Sequence, residues 1–138
     1  MTKKKNRRQL HRHQIKKLIE LASKARKYAL APYTGIKVGA AILTKSGKIY
    51  TGTNFQSIIP DASICAERNA IFKALSEGER DFLLVAVVGF KKDFIYPCGT
   101  CRQVLAEYSG NAKIIAANLK GDYKIVPLSR LTPNIPIL

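Results

Sequence analysis

Apolar residues return at three- and four-residue steps near the start of the chain, at Ile15, Leu18, Ile19, Ala22, Ala25, Ala29 and Leu30. That spacing gathers them on one side of an amphipathic helix, which ends before Pro32. The period then changes. Val38-Gly39-Ala40-Ala41-Ile42-Leu43-Thr44 is a short apolar run suited to a buried strand, Lys45-Ser46-Gly47-Lys48 has turn chemistry, and Ile49 to Phe55 returns as a second strand of a hairpin. Residues 56–63 read as a loop. Helical spacing resumes from Ile64 to about Glu77 and stops in Ser76-Glu77-Gly78-Glu79. Phe82 to Phe90 is almost unbroken apolar sequence, as in a central strand covered on both faces. Cys98 to Tyr108 reads as another helix, with Ile114 to Asn118 and Tyr123 to Leu128 as two more strands. The order predicts an α/β fold with a mixed sheet of about five strands layered with helices.

The chain has 138 residues, enough for one domain with a real core but small for a deep active site made by one copy alone. A site shared within an oligomer is therefore expected. Charge changes the picture only at the N-terminus. Of 24 basic residues, Lys3, Lys4, Lys5, Arg7, Arg8, Arg12, Lys16 and Lys17 stand in the first 17 positions with no acid among them. Without those eight the formal charge of +15 falls to +7. Residues 1–12 thus read as a disordered basic arm, and residues 13–138 as a single catalytic domain. No run of eighteen apolar residues and no secretory pattern is evident, so a cytoplasmic protein without a membrane segment is expected.

The candidate chemistry lies in the three cysteines. They stand as Cys65-Ala66-Glu67 and Pro97-Cys98-Gly99-Thr100-Cys101. An odd number argues against a disulfide framework and suits a reducing compartment, where thiolates are free to hold metal. Three buried thiols packed as small hydrophobes would be the plainer reading. The spacing uses every cysteine in a ligand-like pattern, however, and favours zinc, Zn2+. Cys65 and Cys98 each open a predicted helix, where the positive end of the dipole lowers thiolate pKa. Three protein ligands leave a fourth tetrahedral position open, the arrangement of a catalytic rather than a structural site. Glu67, two residues from a ligand, is placed to move the proton of an activated water. The combination resembles the all-cysteine form of the zinc-deaminase signature. Glu67 could instead be an ordinary first-turn acid, Arg68 a solvated charge and Pro97 a loop terminator. We read Arg68 as a hydrogen-bond donor to thiolate sulfur that offsets its charge.

Ala31-Pro32-Tyr33-Thr34, Val38-Gly39-Ala40-Ala41, Ile64-Cys65-Ala66-Glu67-Arg68 and Pro97-Cys98-Gly99-Thr100-Cys101-Arg102-Gln103-Val104-Leu105 resemble the small homotetrameric cytidine deaminases over about residues 15–133. The resemblance implies a three-layer α-β-α fold, zinc on Cys65, Cys98 and Cys101, and Glu67 as proton shuttle. It implies a homotetramer with shared sites, and hydrolysis of cytidine or deoxycytidine to its uracil counterpart with release of ammonia, a pyrimidine-salvage reaction. The backbone of Ala66 would read the pyrimidine edge, Asn54 would bond the sugar, and Tyr33 would approach from a neighbouring chain.

The substrate pocket departs from that pattern. Asn54-Phe55-Gln56-Ser57 stands where the family usually has Asn-x-Glu-Asn, so a carboxylate that accepts from a ribose hydroxyl has become an amide. Ile36 replaces an aromatic that often flanks the base, Pro60 stands near a position sometimes held by tyrosine, and the tip from Leu131 to Leu138 lacks a phenylalanine. Blasticidin S deaminases, a related branch, also alter the glutamate position. A modified cytosine nucleoside is therefore the alternative substrate. The basic arm admits a further alternative, deamination of cytosine in RNA or single-stranded DNA. It is not favoured, because no aromatics are interleaved with the cations and polynucleotide deaminases usually place histidine at the first ligand.

Overall fold

A computed structural model describes residues 2–136, with side chains omitted at residues 2–8 and 10. Helix α1 spans Thr2–Arg26, followed by the antiparallel hairpin β1 (Gly39–Thr44) and β2 (Ile49–Thr53). A short 3-10 turn at Pro60–Ala62 leads to α2 (Ala66–Ser76), β3 (Phe82–Val88), α3 (Gly99–Ser109), β4 (Lys113–Ala117), β5 (Tyr123–Pro127) and the single turn α4 (Leu128–Leu131). The sheet has five strands in the order β2-β1-β3-β4-β5, with β3 and β4 parallel and every other pair antiparallel. The expected mixed five-stranded α/β sheet is what forms.

Alternate side chains of the central strands feed two cores. Val85, Val87, Ile42 and Ile114 pack with Ile71 of α2, Leu105 of α3 and Leu128 of α4. Leu84, Ala86, Val88, Leu43 and Ile115 pack on the other face with Ile15, Leu18, Ile19 and Ala22 of α1. The three layers are therefore α1, the sheet, and α2 with α3 and α4. Two glycines set the spacing. A Cβ on Gly39 would lie 1.9 Å from the Ala22 carbonyl oxygen of α1, and one on Gly52 would lie 2.4 Å from the Ala66 carbonyl oxygen of α2. Only residues without side chains let the helices approach the sheet so closely.

The structure differs from the sequence pattern in instructive places. Residues 2–12, expected as an arm without regular structure, are helical and continuous with the rest of α1. Lys, Arg and Gln are good helix formers, and extending a helix already nucleated by the packed Ile15–Ala22 stretch requires little. At its other end α1 stops at Arg26, before the predicted limit. Leu30 there pairs with the extended chain after β2, its N–H donating to the Asn54 carbonyl while its own carbonyl accepts from Gln56. β3 is covered on both faces except at Leu83, the extra residue of a bulge between the pairs Leu43–Leu84 and Thr44–Phe82. The turn α4 has no counterpart in the prediction, since four residues are too few to show a period. Of the predicted C-terminal tip, Ile137 and Leu138 lie outside the described residues.

Candidate metal and substrate site

Cys65 is the N-cap of α2 and Cys98 the N-cap of α3. Neither makes a side-chain capping hydrogen bond, in contrast to the Ser, Thr, Asp and Asn that usually hold such positions. Their sulfurs are thereby left for another use. Cys101, one turn into α3, is fully buried and turns its sulfur to the same point. The Cys65 and Cys98 sulfurs are 3.7 Å apart, those of Cys98 and Cys101 3.5 Å, and all three lie within 4.8 Å of one another. Tetrahedral bonds of about 2.3 Å to zinc put sulfurs about 3.8 Å apart, so the triad matches that donor set in both chemistry and spacing. None of the three is in a disulfide.

Positive charge converges on the triad. Arg68 donates through Nη2 to the Cys65 sulfur at 3.5 Å, and its buried Nε has no protein partner. Hydrogen bonding from Cys101 and Arg68 pulls the Cys65 thiol down to about 5. Cys101, giving its hydrogen to Cys65 and buried besides, is pushed up. Glu67, only 4 % exposed, is pushed up to about 7 by burial, with the charge of Cys65 adding to the effect.

All of these groups except the buried Cys101 line a cavity of about 530 Å³. Cys65, Ala66, Glu67, Arg68 and Cys98 line it, together with Tyr33, Asn54 and Gln56. Residues separated widely in sequence are thus brought to one place by the start of α2, the start of α3 and the end of β2. Ile36 is not part of the wall. It is partly exposed, and its carbonyl accepts from Asn54 Nδ2 at 2.8 Å, because the loop turns its backbone towards β2. Tyr33 lines the cavity of its own chain.

Asn54 and Gln56 hold the 33–38 loop. Asn54 Oδ1 accepts from the Val38 N–H at 2.8 Å. Gln56 Oε1 accepts from the N–H groups of Tyr33 at 3.1 Å and Thr34 at 3.2 Å, while its Nε2 donates to Thr34 Oγ1 at 2.7 Å. Ile95, Tyr96 and Phe55 also line the cavity and were not anticipated. Tyr96 stands next to the Pro97-Cys98 motif, which was the available signal. Arg102 braces that motif from below, donating through Nε to the Pro97 carbonyl at 2.7 Å and through Nη1 to the Leu131 carbonyl at 3.3 Å.

Residues 12–117 match the family model described as the cytidine and deoxycytidylate deaminase zinc-binding region. The chain belongs to the cytidine deaminase family. A cytidine deaminase of Halalkalibacterium halodurans is 44 % identical over 117 residues, 84 % of this chain and 89 % of the relative. The crystal structure of the cytidine deaminase from Burkholderia pseudomallei superposes with a TM-score of 0.80 at 41 % identity, covering 85 % of this chain and 94 % of that one. A blasticidin-S deaminase of Bacillus cereus is 35 % identical over 86 residues, 56 % of this chain and 61 % of the relative. With the zinc-binding family established, Cys65, Cys98 and Cys101 are the group positioned to bind the metal of this cytidine deaminase domain.

Proposed function

We propose that this protein hydrolyses a free cytosine nucleoside, cytidine or deoxycytidine, to its uracil counterpart and ammonia. The observation that carries the reading is a buried carboxyl, Glu67, on the floor of a nucleoside-sized cavity beside the three convergent thiols. Zinc held by Cys65, Cys98 and Cys101 supplies the Lewis acidity that makes water a nucleophile at neutral pH. Glu67 takes one proton of the attacking water and hands it to the ring nitrogen, then takes the remaining hydroxyl proton and passes it to the amine as the C–N bond breaks. A carboxyl that titrates near neutrality can both accept and give a proton within one turnover. Arg68 holds Cys65 in its thiolate form. The backbone at Ala66, first residue of α2, offers helix N-terminal N–H groups to the pyrimidine edge.

A homotetramer is part of the same proposal. Tyr28, Leu30, Ile58 and Ile59 are 63–80 % exposed, and Ile58 lines the cavity, so apolar surface continues from the site onto the outside. Neighbouring copies covering that surface would also close the mouth. A cytoplasmic role in pyrimidine salvage accords with three unpaired cysteines. Among the described residues no helix is long and apolar enough to cross a membrane.

A second reading is favoured by Gln56. With Oε1 accepting two backbone N–H groups and one Nε2 hydrogen on Thr34, it has one N–H left to offer and no free acceptor. That N–H is met by a sugar group that accepts, whereas a hydroxyl that must donate finds no partner in this amide. A modified cytosine nucleoside, such as the substrate named by the blasticidin-S deaminase relative, is the candidate for this reading. Loss of the cytosine absorbance band on mixing zinc-replete protein with cytidine, deoxycytidine or blasticidin S tests both readings. No change with any of the three would refute the proposal, and the preferred substrate separates its two forms.

A further inference from the structure

A second cavity, of about 560 Å³, opens on the opposite face of the sheet from the cysteines. One wall is α1, which contributes Arg12, Lys16, Glu20 and Lys24, and the other is the β4–β5 connection with Lys120 and Tyr123. The groove exists because α1 packs over β1, β2 and β3 and leaves the β5 end of the sheet uncovered. Tyr123 and Ile125 lie opposite Ala117 and Ile115, on the α1 side of the sheet, yet each remains 39 % exposed. We propose that this groove binds single-stranded RNA, independently of the deaminase site.

Charge identifies the class of ligand. Four cations and one carboxylate border the groove, and no acidic residue precedes Glu20 anywhere in the chain. Like charges gathered round an open groove repel one another until a polyanion neutralises them. Phosphates spaced along a strand do so at several points at once. Tyr123 supplies what a simple anion does not need, an exposed aromatic face between the cations on which a base can stack. Glu20 distinguishes the sugar. A carboxylate among phosphate-binding lysines is unfavourable for phosphate, but it accepts a hydrogen bond from a ribose 2′-hydroxyl, which DNA lacks. Because the sheet separates this groove from Cys65, Cys98 and Cys101, RNA held here is not presented to them. The groove is a tether rather than a substrate channel.

Fluorescence anisotropy of zinc-loaded, full-length protein with a labelled mixed-sequence RNA, the same sequence as DNA, and inorganic polyphosphate tests the proposal. RNA is expected to bind at least about fivefold more tightly than DNA or polyphosphate, the share of one net hydrogen bond to a 2′-hydroxyl per site. Lys16→Ala combined with Lys120→Ala should reduce the slope of log affinity against log salt by about 1.4, or about 0.7 for each phosphate that is no longer neutralised. Tyr123→Ala should weaken RNA about tenfold and leave that slope unchanged. All three side chains are exposed, and nucleoside turnover should be the same in every variant. An unaltered slope in the double variant would place any bound RNA elsewhere on the chain and overturn the assignment. Equal affinity for RNA, DNA and polyphosphate would reduce the groove to non-specific adhesion, and absence of RNA binding would remove it.

Discussion

Gly52 lies in β2 directly under the first turns of α2, and replacing it with alanine is a mechanical test of how the site is held. A Cβ there would stand 2.4 Å from the Ala66 carbonyl oxygen and 2.5 Å from the Ala70 nitrogen. Carbon contacts are comfortable from about 3.5 Å, so α2 has to withdraw from the sheet by about 1 Å. Overpacking of this kind costs about 1–3 kcal/mol. At about 4 °C per kcal/mol for a chain of this size, the thermal midpoint should fall by about 4–12 °C. The helix carries Cys65 at its cap and Glu67 in its first turn, and a displacement of about 1 Å at reacting groups costs about a hundredfold in rate. Gly39→Ala is the matched control. Its Cβ would lie 1.9 Å from the Ala22 carbonyl oxygen, an equal or worse clash, but the element displaced is α1, which holds none of the site residues. Differential scanning calorimetry, zinc content and kcat should be measured for both variants well below their midpoints, with the folded fraction checked by near-ultraviolet circular dichroism. Both should lose stability, and only Gly52→Ala should lose kcat. An equal loss of kcat in Gly39→Ala, or full kcat in a destabilised Gly52→Ala, would refute the view that contact between β2 and α2 positions the carboxyl.

Glu67→Gln should retain zinc by metal analysis yet lose turnover by at least about a hundredfold, the usual share of a positioned acid–base group. In metal-free protein the same substitution should alter the pH profile of stability. Glu67 is raised from 4.5 to about 7, so the folded chain keeps a proton that the unfolded chain releases. Its contribution is full below pH 4.5 and lost as pH rises through 7, by about 3 kcal/mol at 1.36 kcal/mol per pH unit. Urea midpoints should show the variant gaining on the native chain between about pH 4.5 and pH 7, and a constant difference would exclude burial as the cause. Gln56→Glu keeps an oxygen for the Tyr33 and Thr34 N–H groups and adds charge, so kcat/KM for cytidine relative to blasticidin S should rise about tenfold. Arg102→Ala frees the Pro97 and Leu131 carbonyls and should weaken zinc retention against a competing chelator by about 10–100-fold.

Chemistry and periodicity were both legible in the chain. Cys65, Cys98 and Cys101 stand at ligand spacings set by the turns of the helices they open, and Glu67 cannot be far from a ligand two residues away. Ile15, Leu18, Ile19 and Ala22 declared the packed face of α1, and the apolar run Phe82 to Phe90 declared a doubly covered strand, of which Phe82–Val88 forms, because burial on helices and strands imposes periods that a linear pattern records. The helical state of residues 2–12 was not legible, since a polar stretch has no apolar period and forms helix as the extension of a packed segment.

What only the tertiary structure decided are contacts between residues remote in sequence. Gln56 looks like a sugar ligand when read beside Asn54, yet in space its amide is taken up by Tyr33 and Thr34, which removes its free acceptor and alters what a substrate can offer it. Ile36 meets Asn54 through its backbone carbonyl and is not among the residues lining the cavity, and the tight seats at Gly39 and Gly52 exist only once helices and sheet are stacked. Local spacing encodes which groups can share a turn of helix or a face of strand. Which polar groups remain unpaired, and so available to a ligand, depends on the three-dimensional tally of donors and acceptors, and no one-dimensional pattern contains it.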